Sequence, residues 1–365
     1  MIGIITFHAQ YNCGSALQAF ALQSKMQELG YKCKILNYYY EGNMREYNVR
    51  LYTKKLKIIL FDIYTLINCL ARKKSYNEFQ KRNLNLTVET RDWHDLRDIS
   101  KSCDVLVCGS DQIWNVELTH GLHPAYFLKF ANDNQRLIAY APSVALNTIP
   151  ERFRVEFQET LKRFDYISTR ELQTANELKE ITGRSVPNVL DPTLLHDVDF
   201  YNNLINNNRL QLPDRYVFMY CLHYNSLDKL RQIAESYALK YNASIVYFNK
   251  YNIHKKLYKK NMFRYGPEAF LLGIKKAEFI VADSYHAALF SILYKKEFLI
   301  YALNDSKIRM VTLFKKLGIE GHFINDENES FKKINYNIVH KRLKKEQKDS
   351  IEFLKKALGD CACGK

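Results

Sequence analysis

The chain has 365 residues, 47% of them apolar and 25% charged, and 54 Lys+Arg against 39 Asp+Glu give a formal net charge of +15. That length suits two domains of ordinary size and that composition a folded globular protein, which excludes a small disulfide scaffold, a collagen-like chain and an acidic tail. The positive balance fits nucleic acid, anionic lipid or an anionic small substrate equally well.

In chain order, Ile2 to Phe7 reads as a first buried strand rather than a leader peptide. Ser15 to Leu29 then carries apolar residues at helical spacing, and Gly30 is a plausible stop. Lys32 to Tyr38 returns to strand character, which completes a βαβ opening. Residues 41–87 are basic, aromatic and helical in tone, and read as an insertion between core elements. Within it, Ile58 to Ala71 is too short for a membrane span and carries Asp62. It reads as a packed helix with solvated ends or as a helix lying against an anionic membrane face.

Further strands are predicted at Asp104 to Cys108, Leu137 to Ala141 and Phe164 to Ser168, with a helix from Arg170 to Ile181. Val189 and Leu190 lead into DPTLL. The polar stretch Asn202 to Asp214 reads as a loop and a domain boundary. A second α/β series follows, with strands at Tyr216 to Leu222, Ser244 to Phe248, Phe279 to Ala282 and Phe298 to Tyr301, and helices at Ser226 to Leu239, Pro267 to Lys276 and Ala287 to Leu293. A basic helical run, Ile334 to Leu358, closes the chain. The expected organisation is a first α/β domain over 1–205 with the insertion, a second over 206–310, and a C-terminal segment, 311–365, returning to the first.

Eight cysteines, several inside apolar runs and without zinc spacing, fit a reducing cytoplasm. Cys361 and Cys363 read as a reduced tail. No metal-ligand pattern, nucleotide loop or nucleophile elbow is present.

Two parallel sheets in series direct attention to polar residues just after strands. Three clusters qualify. The first is Thr6 and His8 with Asn12, Gly14, Ser15 and Gln18, where Gly14 allows a close turn and Ser15 can cap a helix. The second is Ser110, Asp111 and Trp114, in which Asp111 could accept from a sugar hydroxyl and Trp114 could stack on a sugar face or plug the core. The third is Asp283, Ser284, Tyr285 and His286, between a buried strand and a helix start, where a histidine can exchange a proton. Arg170 suits a carboxylate or phosphate, with Arg136, Arg264 and Lys250 as weaker candidates. Each cluster also has a plain structural reading, as a capped turn, a core tryptophan or a supporting histidine.

Taken together, NCGSALQAFAL (12–22), GSDQIWN (109–115), ISTRE (167–171), DPTLL (191–195), GPEAFLLGIKKAEFIVADSYHAALFSI (266–292) and KEF (296–298) resemble the polysaccharide pyruvyl transferase family. The chain departs from the usual pattern at Cys13, where Tyr is common, and at Ser284, where better studied members carry Arg. The resemblance implies two Rossmann-like domains facing a cleft in a glycosyltransferase-B-like arrangement, with a C-terminal crossover helix. It implies phosphoenolpyruvate as donor, no further cofactor, and a sugar of a cell-surface polysaccharide or its lipid-linked precursor as acceptor. His286 would be the general acid. Ser284, with the adjoining helix N–H groups, and Arg170 would hold the donor's charge. Asn12, Gln18 and Asp111 would shape the cleft, with Ser15, Ser110, Trp114 and Tyr285 beside them. The expected setting is cytoplasmic, with peripheral contact at an anionic inner membrane face, a homo-oligomer compatible, and no nucleic acid. The rival readings are a nucleotide-sugar glycosyltransferase of the same architecture and a non-enzymatic nucleic-acid or membrane-surface binding protein.

Overall fold

The computed structural model describes residues 1–40, 56–206, 208–249, 253, 255–302, 304–324 and 333–359. Lys250, His254, Cys361, Cys363 and the start of the 41–87 insertion lie outside the described residues.

The first sheet joins β1 (Ile2–Ile5), β2 (Cys33–Ile35), β3 (Val105–Cys108), β4 (Arg136–Ala139) and β5 (Tyr166–Ile167) in the order β2-β1-β3-β4-β5. Every pairing is parallel. The inner strands are runs such as Val105-Leu106-Val107-Cys108, buried at every position, as a sheet covered on both faces requires. Helices α1 (Cys13–Glu28), α2 (Leu56–Asn83), α3 (Glu151–Leu161), α4 (Leu172–Thr182) and α5 (Val198–Ile205) belong to this half.

The second sheet contains β6 (Tyr216–Tyr220), β7 (Ser244–Phe248), β8 (Tyr258–Asn261), β9 (Phe279–Ala282) and β10 (Phe298–Ile300), ordered β10-β9-β6-β7-β8 and again parallel. Its helices are α6 (Leu227–Lys240), α7 (Pro267–Lys276), α8 (Tyr285–Leu293) and α9 (Asn304–Leu317), and α10 (Tyr336–Leu358) ends the described chain. The molecule is thus an α/β protein with two Rossmann-like parallel-sheet units. In both sheets the strand order reverses beside the first strand, between β1 and β3 and between β6 and β9. Loops leaving these strands are where open α/β sheets hold ligands.

The polar stretch expected to be a loop begins as helix: α5 runs to Ile205, capped by Asp197, whose Oδ1 accepts from the Phe200 N–H at 3.1 Å. Its buried Tyr201 and Ile205 anchor it. The described part of the insertion is built into both halves. On α2, Gln80 donates to the His8 carbonyl (3.0 Å), while Arg72 donates to the Phe263 carbonyl (2.9 Å) and to that of Tyr11. Arg72 also packs over the rings of Tyr76, Phe248 and Phe263. Further along, Arg82 pairs with Glu268 at 2.6 Å.

Helix α10 crosses between the halves. His340 bonds the Ile292 carbonyl at 2.8 Å near its start, and the Ser350 hydroxyl accepts from the Leu190 N–H at 2.9 Å near its end. Arg136, a weak site candidate, instead donates to the Leu358 carbonyl at 2.9 Å and pins the end of this helix.

Candidate active site

The loop after β1 turns into α1 under an asparagine cap. Asn12 Oδ1 accepts from the N–H groups of Gly14 (2.8 Å) and Ser15 (3.3 Å), so Asn12, not Ser15, caps the helix. Ser15 lies inside the first turn and donates to Asp111 Oδ2 at 2.6 Å. Asp111 sits at φ 69, a left-handed conformation that aspartate tolerates better than most residues. Gly109 before it is required sterically: its φ is 125, and a Cβ there would lie 1.9 Å from the Tyr140 carbonyl oxygen.

Gln18 and Ser110 are completely buried. The Gln18 amide donates to Thr6 Oγ1 (2.8 Å) and to the Phe7 and Ser15 carbonyls (both 3.1 Å), while its oxygen accepts from the Ser110 N–H (3.2 Å). Ser110 Oγ donates to the Ala141 carbonyl at 2.8 Å. These two side chains knit the strand-end loops together, and Ser110 Oγ also donates to Asp191 Oδ2 at 3.4 Å. Trp114 is corrected likewise. It is fully buried, its indole N–H donates to the Tyr126 carbonyl at 3.2 Å, and it stacks on Phe127 with ring centroids 5.1 Å apart. It plugs the core rather than facing a sugar.

The third cluster divides in the same way. Asp283 Oδ1 accepts from the Leu222 N–H (2.7 Å) and Oδ2 from the His223 N–H (2.9 Å), joining the loops after β6 and β9. Ser284 caps α8, its Oγ accepting from the Ala287 N–H at 3.4 Å. Tyr285 and His286, expected just ahead of the helix, form its first turn.

His286 is the meeting point of the two halves. A Cβ on Gly14 would fall 2.1 Å from His286 Nδ1, so the imidazole lies directly against the glycine of the first loop. On its other side, Nε2 is 3.6 Å from Asp191 Oδ2. Asp191 in turn accepts from Arg170 Nη1 at 2.6 Å, and its Oδ1 accepts from the Thr193 N–H (2.9 Å) and hydroxyl (2.7 Å). Burial opposes ionisation of Asp191, but His286 and Arg170 outweigh it and hold the carboxyl below its ordinary range. Burial pushes the Glu171 carboxyl up, against the pull of Arg170.

Arg170 and His286 therefore converge on Asp191, the first residue of DPTLL. Tyr285 completes the group: Arg170 Cζ lies 4.5 Å and Arg309 Cζ 5.9 Å from its ring centroid. Arg309, on α9, was not anticipated. Its signal was the buried series Met310, Leu313, Phe314 and Leu317, which marks a helix and sets Arg309 at the edge of its packed face.

Hydrogen-bonding capacity is left over here. Arg170 Nε and Nη2, Arg309 Nε, His286 Nε2 and Glu171 Oε2 are shielded from solvent without a hydrogen-bond partner. Their closest opposite charges are too distant for direct bonds: Arg170 Nη2 is 3.8 Å from Asp111 Oδ1, and Arg170 Nε is 3.6 Å from Glu171 Oε1. Buried unpaired donors are costly, so a cluster of them points to a ligand that completes them. Among the described residues, no group of three or more His, Cys, Asp or Glu side chains could hold a metal ion.

Two parallel-sheet units thus meet at a histidine and a buried arginine, as in a two-domain α/β protein. Residues 12–305 match the polysaccharide pyruvyl transferase family, and the chain belongs to it. No curated protein matches significantly. Similar folds include the UDP complex of S. aureus MnaA (12% identity, TM-score 0.48, covering 99% of this chain and 93% of that one). UDP-GlcNAc 2-epimerase from Methanocaldococcus jannaschii (13%, 0.45, 94% and 91%) and the glycosyltransferase SnogD from Streptomyces nogalater (10%, 0.46, 96% and 94%) are similar at the same level.

Proposed function

We propose that the chain transfers the enolpyruvyl group of phosphoenolpyruvate onto two hydroxyls of one sugar, forming a pyruvate ketal and releasing phosphate. The observation that carries this reading is the set of shielded donor atoms without hydrogen-bond partners, Arg170 Nε and Nη2 and Arg309 Nε, gathered beside His286, whose Nε2 lies 3.6 Å from Asp191 Oδ2. A small, doubly anionic donor would satisfy them, and a proton-transfer group stands next to it.

The chemistry follows from these groups. A first sugar hydroxyl adds to the enol carbon while imidazolium His286 gives a proton to the methylene carbon, which becomes a methyl group. The hydroxyl's own proton returns to the imidazole. Phosphate then leaves from the same carbon, and the second hydroxyl bonds to it, losing its proton to the departing phosphate. Asp191 Oδ2, 3.6 Å from Nε2, stands beside the ring and helps set its place. Arg170, bound to Asp191, fixes that carboxylate. The acceptor is a sugar of a surface polysaccharide or its lipid-linked precursor. The exposed basic face of α10, including Lys341, Lys344, Lys345 and Lys348, is suited to an anionic membrane that carries such a precursor. Among the described residues no helix is long and apolar enough to cross one.

The test is phosphate release from phosphoenolpyruvate with a competent acceptor. His286→Gln is expected to lower turnover by roughly 10²–10⁴-fold, the usual range for a lost general acid. Near wild-type turnover would end the assignment. Thermal stabilisation by UDP, with none by phosphoenolpyruvate, would favour a nucleotide-sugar transferase instead.

A further inference from the structure

Ser284 is occupied with capping α8, and Arg170 is held by Asp191 at 2.6 Å with its side chain almost wholly buried. Both are committed to partners within the chain. Arg309 differs from both. It comes from α9, beyond the stretch that matches the family, and approaches Tyr285 alongside Arg170. Its Nε is shielded and has no hydrogen-bond partner. Its position is not a matter of surface chance, because Met310, Leu313, Phe314 and Leu317 are buried and fix the rotation of α9.

We propose that Arg309 is the residue that grips an oxyanion of the donor, with the Tyr285 ring as a platform that sets its guanidinium beside Arg170 and His286. This assignment rests on the pyruvyl-transfer reading above. Two guanidinium groups over one tyrosine ring repel each other in a site of low polarity. Burial and the neighbouring Arg170 accordingly lower the Arg309 pKa, with Asp111 and Glu171 opposing. A bound oxyanion relieves that repulsion and accepts from the unpaired Nε–H. The planar guanidinium fork suits phosphate and carboxylate alike, so the phosphoryl and carboxylate ends of the donor must be told apart by experiment.

The test measures binding of phosphoenolpyruvate, inorganic phosphate and pyruvate by calorimetry to the wild type, Arg309→Ala and Arg309→Lys, with His286→Gln turnover alongside. Arg309→Ala is expected to keep the melting temperature of the unliganded protein and to weaken phosphoenolpyruvate binding by about 10–100-fold, the range of a lost charge-assisted hydrogen bond. Arg309→Lys should fall between the two, and guanidinium ion at millimolar concentration should restore part of the loss in the alanine variant. A matching loss for phosphate assigns the grip to the phosphoryl end, and one for pyruvate to the carboxylate. Unchanged phosphoenolpyruvate affinity in both Arg309 variants, while His286→Gln abolishes turnover, overturns the role of Arg309 and leaves the reading of the site intact. If the wild type neither binds nor turns over phosphoenolpyruvate, both fall.

Discussion

Two groups of polar side chains near the strand ends look alike in sequence and differ in what their polar atoms do. In the first domain, Thr6, Gln18 and Ser110 are buried and bonded to one another, to main-chain groups and, from Ser110 Oγ, to Asp191 Oδ2. At the junction with the second domain, Arg170 Nε and Nη2, Arg309 Nε and His286 Nε2 are shielded and lack hydrogen-bond partners. Polar density after a strand therefore marks two different things. The first group uses its hydrogen bonds to hold a turn in shape; the second leaves donors unused, which the proposed donor substrate would fill.

This contrast can be broken at several points. The largest stability effect is expected from Asp191→Ala, which leaves Arg170 buried without its 2.6 Å partner. Removing one member of a buried ion pair costs roughly 3–5 kcal/mol, measurable as a shift in urea midpoint at constant slope. Activity should be lost as well, since His286 loses its orienting carboxylate. A loss of turnover without loss of stability would mean that Asp191 serves the site alone.

Next comes Gly14→Ala. Alanine favours helix by about 1 kcal/mol over glycine, but its methyl would meet His286 Nδ1 at 2.1 Å. The imidazole must move, and turnover is expected to drop about 10²-fold, as for other misplaced catalytic groups, while stability changes little. Steady-state kinetics should show the loss mainly in kcat. Full activity in this variant would show that the closed contact between the domains is not part of the catalytic geometry.

The smallest effect tests the first cluster. Trp114→Phe removes ring volume and the indole bond to the Tyr126 carbonyl. It should destabilise by about 1–2 kcal/mol and leave phosphoenolpyruvate affinity unchanged by calorimetry. Weakened donor binding at unchanged stability would restore Trp114 to the site.

The sequence made the sheets legible because parallel strands covered on both faces are uninterrupted apolar runs, as in Val105 to Cys108 and Phe279 to Ala282. It drew attention to His286 because polar residues between a buried strand and a helix start stand at the sheet end where open α/β folds hold ligands. Helices α3, α5 and α9 were harder to see: their charged or amide-rich faces dilute the apolar spacing, and α9 in particular ends in Lys315 and Lys316. The roles of Gln18 and Trp114 could not be separated from binding roles, because a polar or aromatic residue looks the same in sequence whether its partner is the chain or a ligand. Asp191 and Arg309 gain their meaning only from residues far away in the chain, Arg170 and His286 for one and Tyr285 for the other.

The central claim is that the unpaired donors at the domain junction receive the donor substrate. A crystal structure of the protein with phosphoenolpyruvate tests it most directly. The account predicts donor oxygens within hydrogen-bonding distance, about 3 Å, of Arg309 Nε, with the methylene carbon beside the His286 ring. Phosphoenolpyruvate bound elsewhere, with Arg309 and His286 still unpartnered, would contradict it.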